Sequence, residues 1–317
     1  MGLSWMLILL GAILLYVGAE LLVRSAVQIA LHFKLSRLII GLTVVAFCTS
    51  MPEALVSIIA QLKGGSGDIS LGNVLGSNIA NLSLVLGVYL MLRPCDVTHE
   101  MKWQKMPQLL FVYLMVFFVM LGGTINRVEG VFLLFVLGLY ILHQYTLPPK
   151  KQELEEEIRI HDDVKRAPVR IKLQIFAVIS SGILLILGTQ SLIDGALKIA
   201  THYQISERII AISLLAFGTS LPELATAIVG AFRKEQEIIV GTLVGSNIFN
   251  PLLILPCATF IKPIVFSSRM LIIDFPIMVV FTIILWVLMV LGHDRLSRVD
   301  GAILLFAYFS YIAFLYL

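Results

Sequence analysis

With 317 residues, of which 59% are hydrophobic and 14% charged, and a mean hydropathy of +0.97, the chain lies outside the range of soluble globular proteins. The composition is that of a protein threaded repeatedly through a membrane, and its formal net charge of +3 matters less than where the basic residues fall. Three cysteines, Cys48, Cys95 and Cys257, have neither metal nor redox spacing, so no disulfide framework or zinc site is implied.

Apolar runs of about 20 residues, long enough to cross a hydrocarbon core as helix, predict ten spans. The first five are 3–31, 36–62, 70–92, 108–121 and 128–143. The opening run has no basic leader and outlasts the apolar stretch of a cleaved signal, so it reads as the first span. A charged linker, 148–168, follows and reads as a solvated connection. The series then resumes with 171–200, 206–232, 238–261, 270–291 and 299–317. The expected fold is an all-α integral membrane protein of ten transmembrane helices, divided into 1–147 and 169–317.

The two halves repeat each other. Residues 46–53, AFCTSMPE, recur as AFGTSLPE in residues 216–223, and Gly76-Ser77-Asn78-Ile79 with Asn81 recurs as Gly245-Ser246-Asn247-Ile248 with Asn250. Five spans per repeat is an odd number, so the second copy enters the membrane from the opposite side, as two inverted five-helix repeats. Sixteen Lys and Arg, Lys34, Lys105 and Arg170 among them, gather on one side against five on the other. That bias places the linker in the cytoplasm and both termini outside.

Each copy of the octapeptide sets a glutamate, Glu53 or Glu223, deep in an apolar run. Such a carboxylate costs about 3 kcal/mol or more to insert unless something compensates it, and so marks a functional site. Thr49 and Ser50 precede Glu53 by four and three residues and share its helix face, as Thr219 and Ser220 do with Glu223. Pro52 and Pro222 remove a backbone donor, predicting kinks near Cys48 and Gly218 and free carbonyls over 46–49 and 216–219. Ser77 with Asn81, and Ser246 with Asn250, add oxygens at i, i+4, while the pairs Gly72/Gly76 and Gly241/Gly245 predict close helix approach.

Only oxygen ligands accompany the glutamates, which suits Ca2+, Na+ or Mg2+ rather than soft metals. Two carboxylates balance one divalent ion, and the same cavity can hold monovalent ions, so mutually exclusive occupancy by one Ca2+ or several Na+ follows. Protons on the same glutamates are the alternative coupling ion. No P-loop, HExxH, paired aspartate or Ser-His arrangement is present, so neither ATP hydrolysis nor enzyme chemistry is indicated, and no cofactor is expected. Duplicated broken helices favour an occludable site over a continuous channel.

The motifs GTSLPE and CTSMPE, with GSN and a following Asn in both halves, resemble the alpha repeats of the calcium/cation antiporter superfamily, in particular prokaryotic sodium/calcium exchangers. The resemblance spans all ten predicted helices. It implies eight central helices and two tilted ones, the first and sixth, that slide to alternate access. It further implies Ca2+ held by Glu53 and Glu223 with backbone oxygens of Thr49 and Thr219. Sodium sites would use Ala46, Thr49, Ser50, Glu53, Ser77 and Asn81 together with Ala216, Thr219, Ser220, Glu223, Ser246 and Asn250. The implied setting is a bacterial or archaeal plasma membrane, with the bilayer and the two ions as partners, no nucleic acid, and a monomer with no obligate protein partner. Asn250 stands where some relatives carry Asp, which argues against K+ coupling. Cys48 replaces a glycine, and Pro251 predicts a break at Asn250.

Overall fold

The computed structural model describes residues 2–64, 67–146, 170–203, 218–292 and 294–316. Within a bilayer every backbone donor and acceptor must be satisfied inside its own segment, and the apolar runs accordingly form helices. The first half holds α1 (Gly2–Phe33), α2 (Arg37–Leu62), α3 (Gly67–Leu92), α4 (Met101–Met120) and α5 (Arg127–Thr146). The second holds α6 (Ile171–His202), α7 (Leu221–Arg233), α8 (Gln236–Ile261), α9 (Met270–Leu291) and α10 (Arg298–Tyr316). Among the described residues nine helices, all but α7, are long and apolar enough to cross a membrane. The predicted span 206–232 is described only from Gly218 onward.

Details recur from one half to the other. Wide π turns at Asn81–Val85 and Met101–Lys105 return 169 residues later at Asn250–Ile254 and Met270–Asp274. Short strands β1 (Cys95–Asp96) and β2 (Thr124–Ile125) have counterparts β3 (Ile264–Val265) and β4 (Arg295–Leu296). The strands pair across the halves, both antiparallel: β1 with β4, Cys95 opposite Leu296, and β2 with β3, Thr124 opposite Val265.

Helix α4 begins seven residues before the predicted 108–121, at Met101. Its first turn carries Lys102 and Lys105 and so reads as loop, yet Lys105 is buried, with Nζ 2.8 Å from Glu100 Oε1 and 2.7 Å from Gln144 Oε1. A buried ammonium is tolerated when paired and hydrogen-bonded, which hydropathy alone does not register.

Helices α3 and α8 form the centre, while α1 and α6 run antiparallel along the outside. A Cβ on Gly11 would lie 2.7 Å from the Gly188 carbonyl oxygen, so these two helices touch backbone to backbone. Arg233 at the end of α7 pairs with Glu20 of α1, which also meets Arg24 at 2.6 Å. Inside, α8 crosses α2 closely. A Cβ on Gly245 would stand 2.6 Å from the Leu42 carbonyl oxygen, and one on Gly241 2.7 Å from that of Leu38. The predicted close approach therefore holds for the second glycine pair. For the first, nothing among the described residues comes within 4 Å of a Cβ on Gly76, and Gly72 meets only Met270 Cε at 3.6 Å.

Candidate cation-binding site

Helix α2 breaks at Ser50, whose φ of −78° and ψ of 0° leave the helical region, and resumes at Met51 with Pro52 in its first turn. Proline is tolerated there because a first-turn N–H has no helical partner in any case. Glu53 thus stands in the first turn of a new half-helix, where exposed N–H groups favour negative charge. The second half repeats the arrangement: Ser220, at φ −84° and ψ 8°, precedes α7, with Pro222 and Glu223 in its first turn.

The breaks lie two residues beyond the predicted positions, and the Ala46 carbonyl is not free as expected. It accepts from Ser50 N at 3.0 Å and from the Thr49 and Ser246 hydroxyls at 3.3 and 3.5 Å. The reason is that proline removes only the donor meant for the carbonyl four residues back, so Ala46 keeps its own. The predicted break at Asn250 is also absent. Asn250 is helical, with φ −55° and ψ −55°, and the missing Pro251 donor is absorbed by the π turn Asn250–Ile254. The same turn exists at Asn81–Val85 without a proline, so it belongs to the repeat and Pro251 fits into it.

Both glutamates are buried, and none of their four carboxylate oxygens has a hydrogen-bond partner. Among the described residues no basic side chain pairs with either. Thr49 and Ser246, whose hydroxyl oxygens are 3.2 Å apart, face Glu223 without closing a hydrogen bond of normal geometry. Ser50 Oγ, Ser220 Oγ and both side-chain polar atoms of Asn81 are buried and unpartnered. Thr219 is buried beside them in sequence, while Ala216 lies outside the described residues.

Asn250 donates to Ser77 Oγ at 3.0 Å and to Asn78 Oδ1 at 2.9 Å, which leaves its own Oδ1 buried and unpartnered. Beneath lies a hub that sequence reasoning did not single out. Asn78 donates to the Asn247 carbonyl at 3.0 Å, Asn247 donates to the Asn78 carbonyl at 2.9 Å, and both reach the Tyr113 hydroxyl at 3.1 Å. The duplicated GSN motif carried a signal for the two asparagines; Tyr113, whose counterpart is Thr282, carried none.

Leaving one buried charge unpaired costs several kcal/mol, and two facing carboxylates compound it. Hydroxyl oxygens of the two halves, Thr49 and Ser246, meet beside Glu223, and Asn250 meets Ser77 across the halves. Among the described residues no group of three or more His, Cys, Asp or Glu assembles, and the other polar groups at hand are hydroxyls and amides. That set matches a hard cation.

The family model for "Sodium/calcium exchanger protein" matches residues 3–146 and 173–317. The chain belongs to this family. It is 32% identical to the inner membrane protein YrbG of Escherichia coli strain K12 over 319 residues, covering 100% of this chain and 98% of that one. It is 27% identical to the sodium/calcium exchanger MaX1 of Methanosarcina acetivorans, covering 99% and 98%. Among solved structures it resembles the sodium-calcium exchanger NCX_Mj soaked with Na+ and Ca2+, with a TM-score of 0.79, 29% identity and 98% of each chain covered. This family member is accordingly a membrane-embedded cation antiporter of the calcium-exchanging class.

Proposed function

We propose that the protein exchanges Ca2+ for Na+ by alternating access, several Na+ against one Ca2+, electrogenically and without K+. The observation that carries this is the pair of buried carboxylates without hydrogen-bond partners, Glu53 and Glu223, with the Thr49 and Ser246 hydroxyls of the two halves meeting beside Glu223. Two negative charges neutralise one Ca2+, with the backbone oxygens of Thr49 and Thr219 completing its shell. Several Na+ divided among Ala46, Thr49, Ser50, Glu53, Ser77 and Asn81 and their mates Ala216, Thr219, Ser220, Glu223, Ser246 and Asn250 compete for the same carboxylates. Neither ion set fits while the other is bound, and an empty site leaves two carboxylates repelling, so the movement that exposes the site to either face is favourable only when it is loaded.

In this reading the halves 1–147 and 169–317 are inverted five-helix repeats joined by the cytoplasmic linker 148–168, with both termini outside and the monomer as the working unit. The reciprocal strand pairing and the reciprocal Asn78–Asn247 bonds support it, since a two-fold axis between inverted repeats produces contacts of that kind. The neutral amide of Asn250 supports K+ independence by keeping the charge of the cavity at two carboxylates.

The test is 45Ca2+ uptake into proteoliposomes loaded with Na+, beside K+-loaded and pH-gradient controls. Uptake driven by the outward Na+ gradient is expected, faster when the membrane potential compensates the charge moved. Uptake driven by the pH gradient alone would assign protons as the coupling ion.

A further inference from the structure

The two glutamates are held differently. Below Glu53, helices α2 and α3 are joined by a polar seam, buried at Ser57, Gln61 and Ser70 and half-buried at Asn73. Asn73 Nδ2 donates to the Glu53 carbonyl and to Ser57 Oγ, both at 2.9 Å; Ser70 Oγ donates to the Ser57 carbonyl at 3.2 Å; and Gln61 Nε2 donates to Ser70 Oγ at 3.0 Å. The corresponding residues below Glu223, at the repeat offsets of 169 and 170, are Thr242, Ala227, Ile239 and Ala231. No such seam can form from them. The Thr242 hydroxyl donates to Ile238 O of its own helix at 2.7 Å, and α7 meets α8 through the Ile239 side chain seated on Gly230.

We propose that Asn73 is a positioning residue for Glu53, making Glu53 a preset ligand and Glu223 one that the bound ion itself must order. This rests on the reading that both glutamates ligate the transported cation. The Glu53 carbonyl belongs to the first turn after the Ser50 break, where Pro52 has no backbone donor to offer the helix above. Fixing that carbonyl to α3 fixes the turn from which the carboxylate hangs, and ion ligation tolerates only a few tenths of an ångström of error. Glu223 stands in an equivalent turn, and among the described residues no cross-helix amide bonds its carbonyl, so its ordering is drawn from the binding free energy.

The experiment compares Asn73→Thr, which gives the first half the residue of the second, with Thr242→Val, which removes a hydroxyl bonded only to its own helix. For each purified protein the Ca2+ concentration that half-saturates the rise in melting temperature is measured, together with half-saturation and maximal rate of Na+-driven 45Ca2+ uptake. Asn73→Thr is expected to raise half-saturation in both assays by about threefold to tenfold, the worth of one hydrogen bond, with the maximal rate per folded protein within about twofold. Thr242→Val is expected to leave half-saturation unchanged. Equal shifts in the two variants, or a loss of rate and melting temperature in Asn73→Thr with unchanged half-saturation, would overturn the positioning role. Should Asn73→Thr not fold, the double variant Ser57→Ala/Ser70→Ala strips the rest of the seam and keeps the Asn73–Glu53 bond. It should lower the melting temperature alone, and a matching shift in half-saturation would overturn the proposal. A wild-type protein that Ca2+ neither stabilises nor crosses would overturn the exchanger reading, and this inference with it.

Discussion

The outer pair of helices, α1 and α6, is brought together by glycine, whereas the central pair, α3 and α8, is held by different forces. In the most apolar stretch of α8, 94% of residues are buried, and in α3 83%; in α1 the share is 33% and in α6 22%. The central helices are bonded through amides, Asn78 with Asn247 and Asn250 with Ser77. Among the described residues no hydrogen bond or ion pair joins α1 to α6; their contact rests on fit alone. In a bilayer, lipid tails are as apolar as leucine, so helix association comes from close packing and polar bonds rather than from hydrophobic expulsion. An interface with both components is fixed, whereas one with only the first can shift along its length. In the exchange cycle proposed above, this difference would leave recognition to the centre and movement to the rim formed by α1 and α6.

The sharpest way to break the centre is at its charges. Glu53→Gln or Glu223→Gln should reduce Na+-driven 45Ca2+ uptake by about a hundredfold or more while leaving a monodisperse, folded protein, because a neutral amide cannot replace a carboxylate facing a divalent ion. Next comes a matched pair of glycine substitutions. A Cβ on Gly245 or on Gly11 would meet backbone at nearly the same distance, 2.6 and 2.7 Å. Gly245→Ala should cost about 1–3 kcal/mol by thermal melting, since Leu42 and Ala46 are enclosed on all sides. Gly11→Ala should cost less than about 1 kcal/mol, because α1 can yield into lipid, and should instead slow uptake. Comparable stability losses in the two would erase the distinction between rim and centre. The smallest effect is expected at lipid-facing aromatics. Phe176→Ala and Phe306→Ala, both exposed, should change melting by no more than about 0.5 kcal/mol and leave uptake unaltered.

Much of this was legible in the sequence because the bilayer imposes a length and a polarity that simple periodicity detects. The predicted span 270–291 coincides with α9, and the neighbouring spans differ mainly by a turn or less at their ends. The exception, α4, shows the limit of hydropathy: Lys105 reads as solvent-facing, but Glu100 and Gln144 bury it. At the candidate site, duplication pointed to the glutamates and the serines. It could not locate the carbonyls, since which backbone oxygen is released depends on where the helix restarts, at Ser50 and not at Cys48. It also passed over Tyr113 and Asn73, for opposite reasons to those that exposed Glu53. Neither has a like residue in the other half, and a residue without a repeat mate gives no internal signal.

The short strands carry one more consequence. Neither half pairs its own strands; β1 reaches for β4 and β2 for β3, so that residue 95 faces 296 while 125 faces 264. Such mutual exchange is the hallmark of an isologous contact, the kind two identical subunits make about a two-fold axis. In the inverted-repeat reading proposed above, the molecule is built like a homodimer whose subunits have been spliced end to end, with the short strands stitching one half to the other. Two separately expressed fragments with the proposed bounds, 1–147 and 169–317, would each carry the partners of the other's described strands.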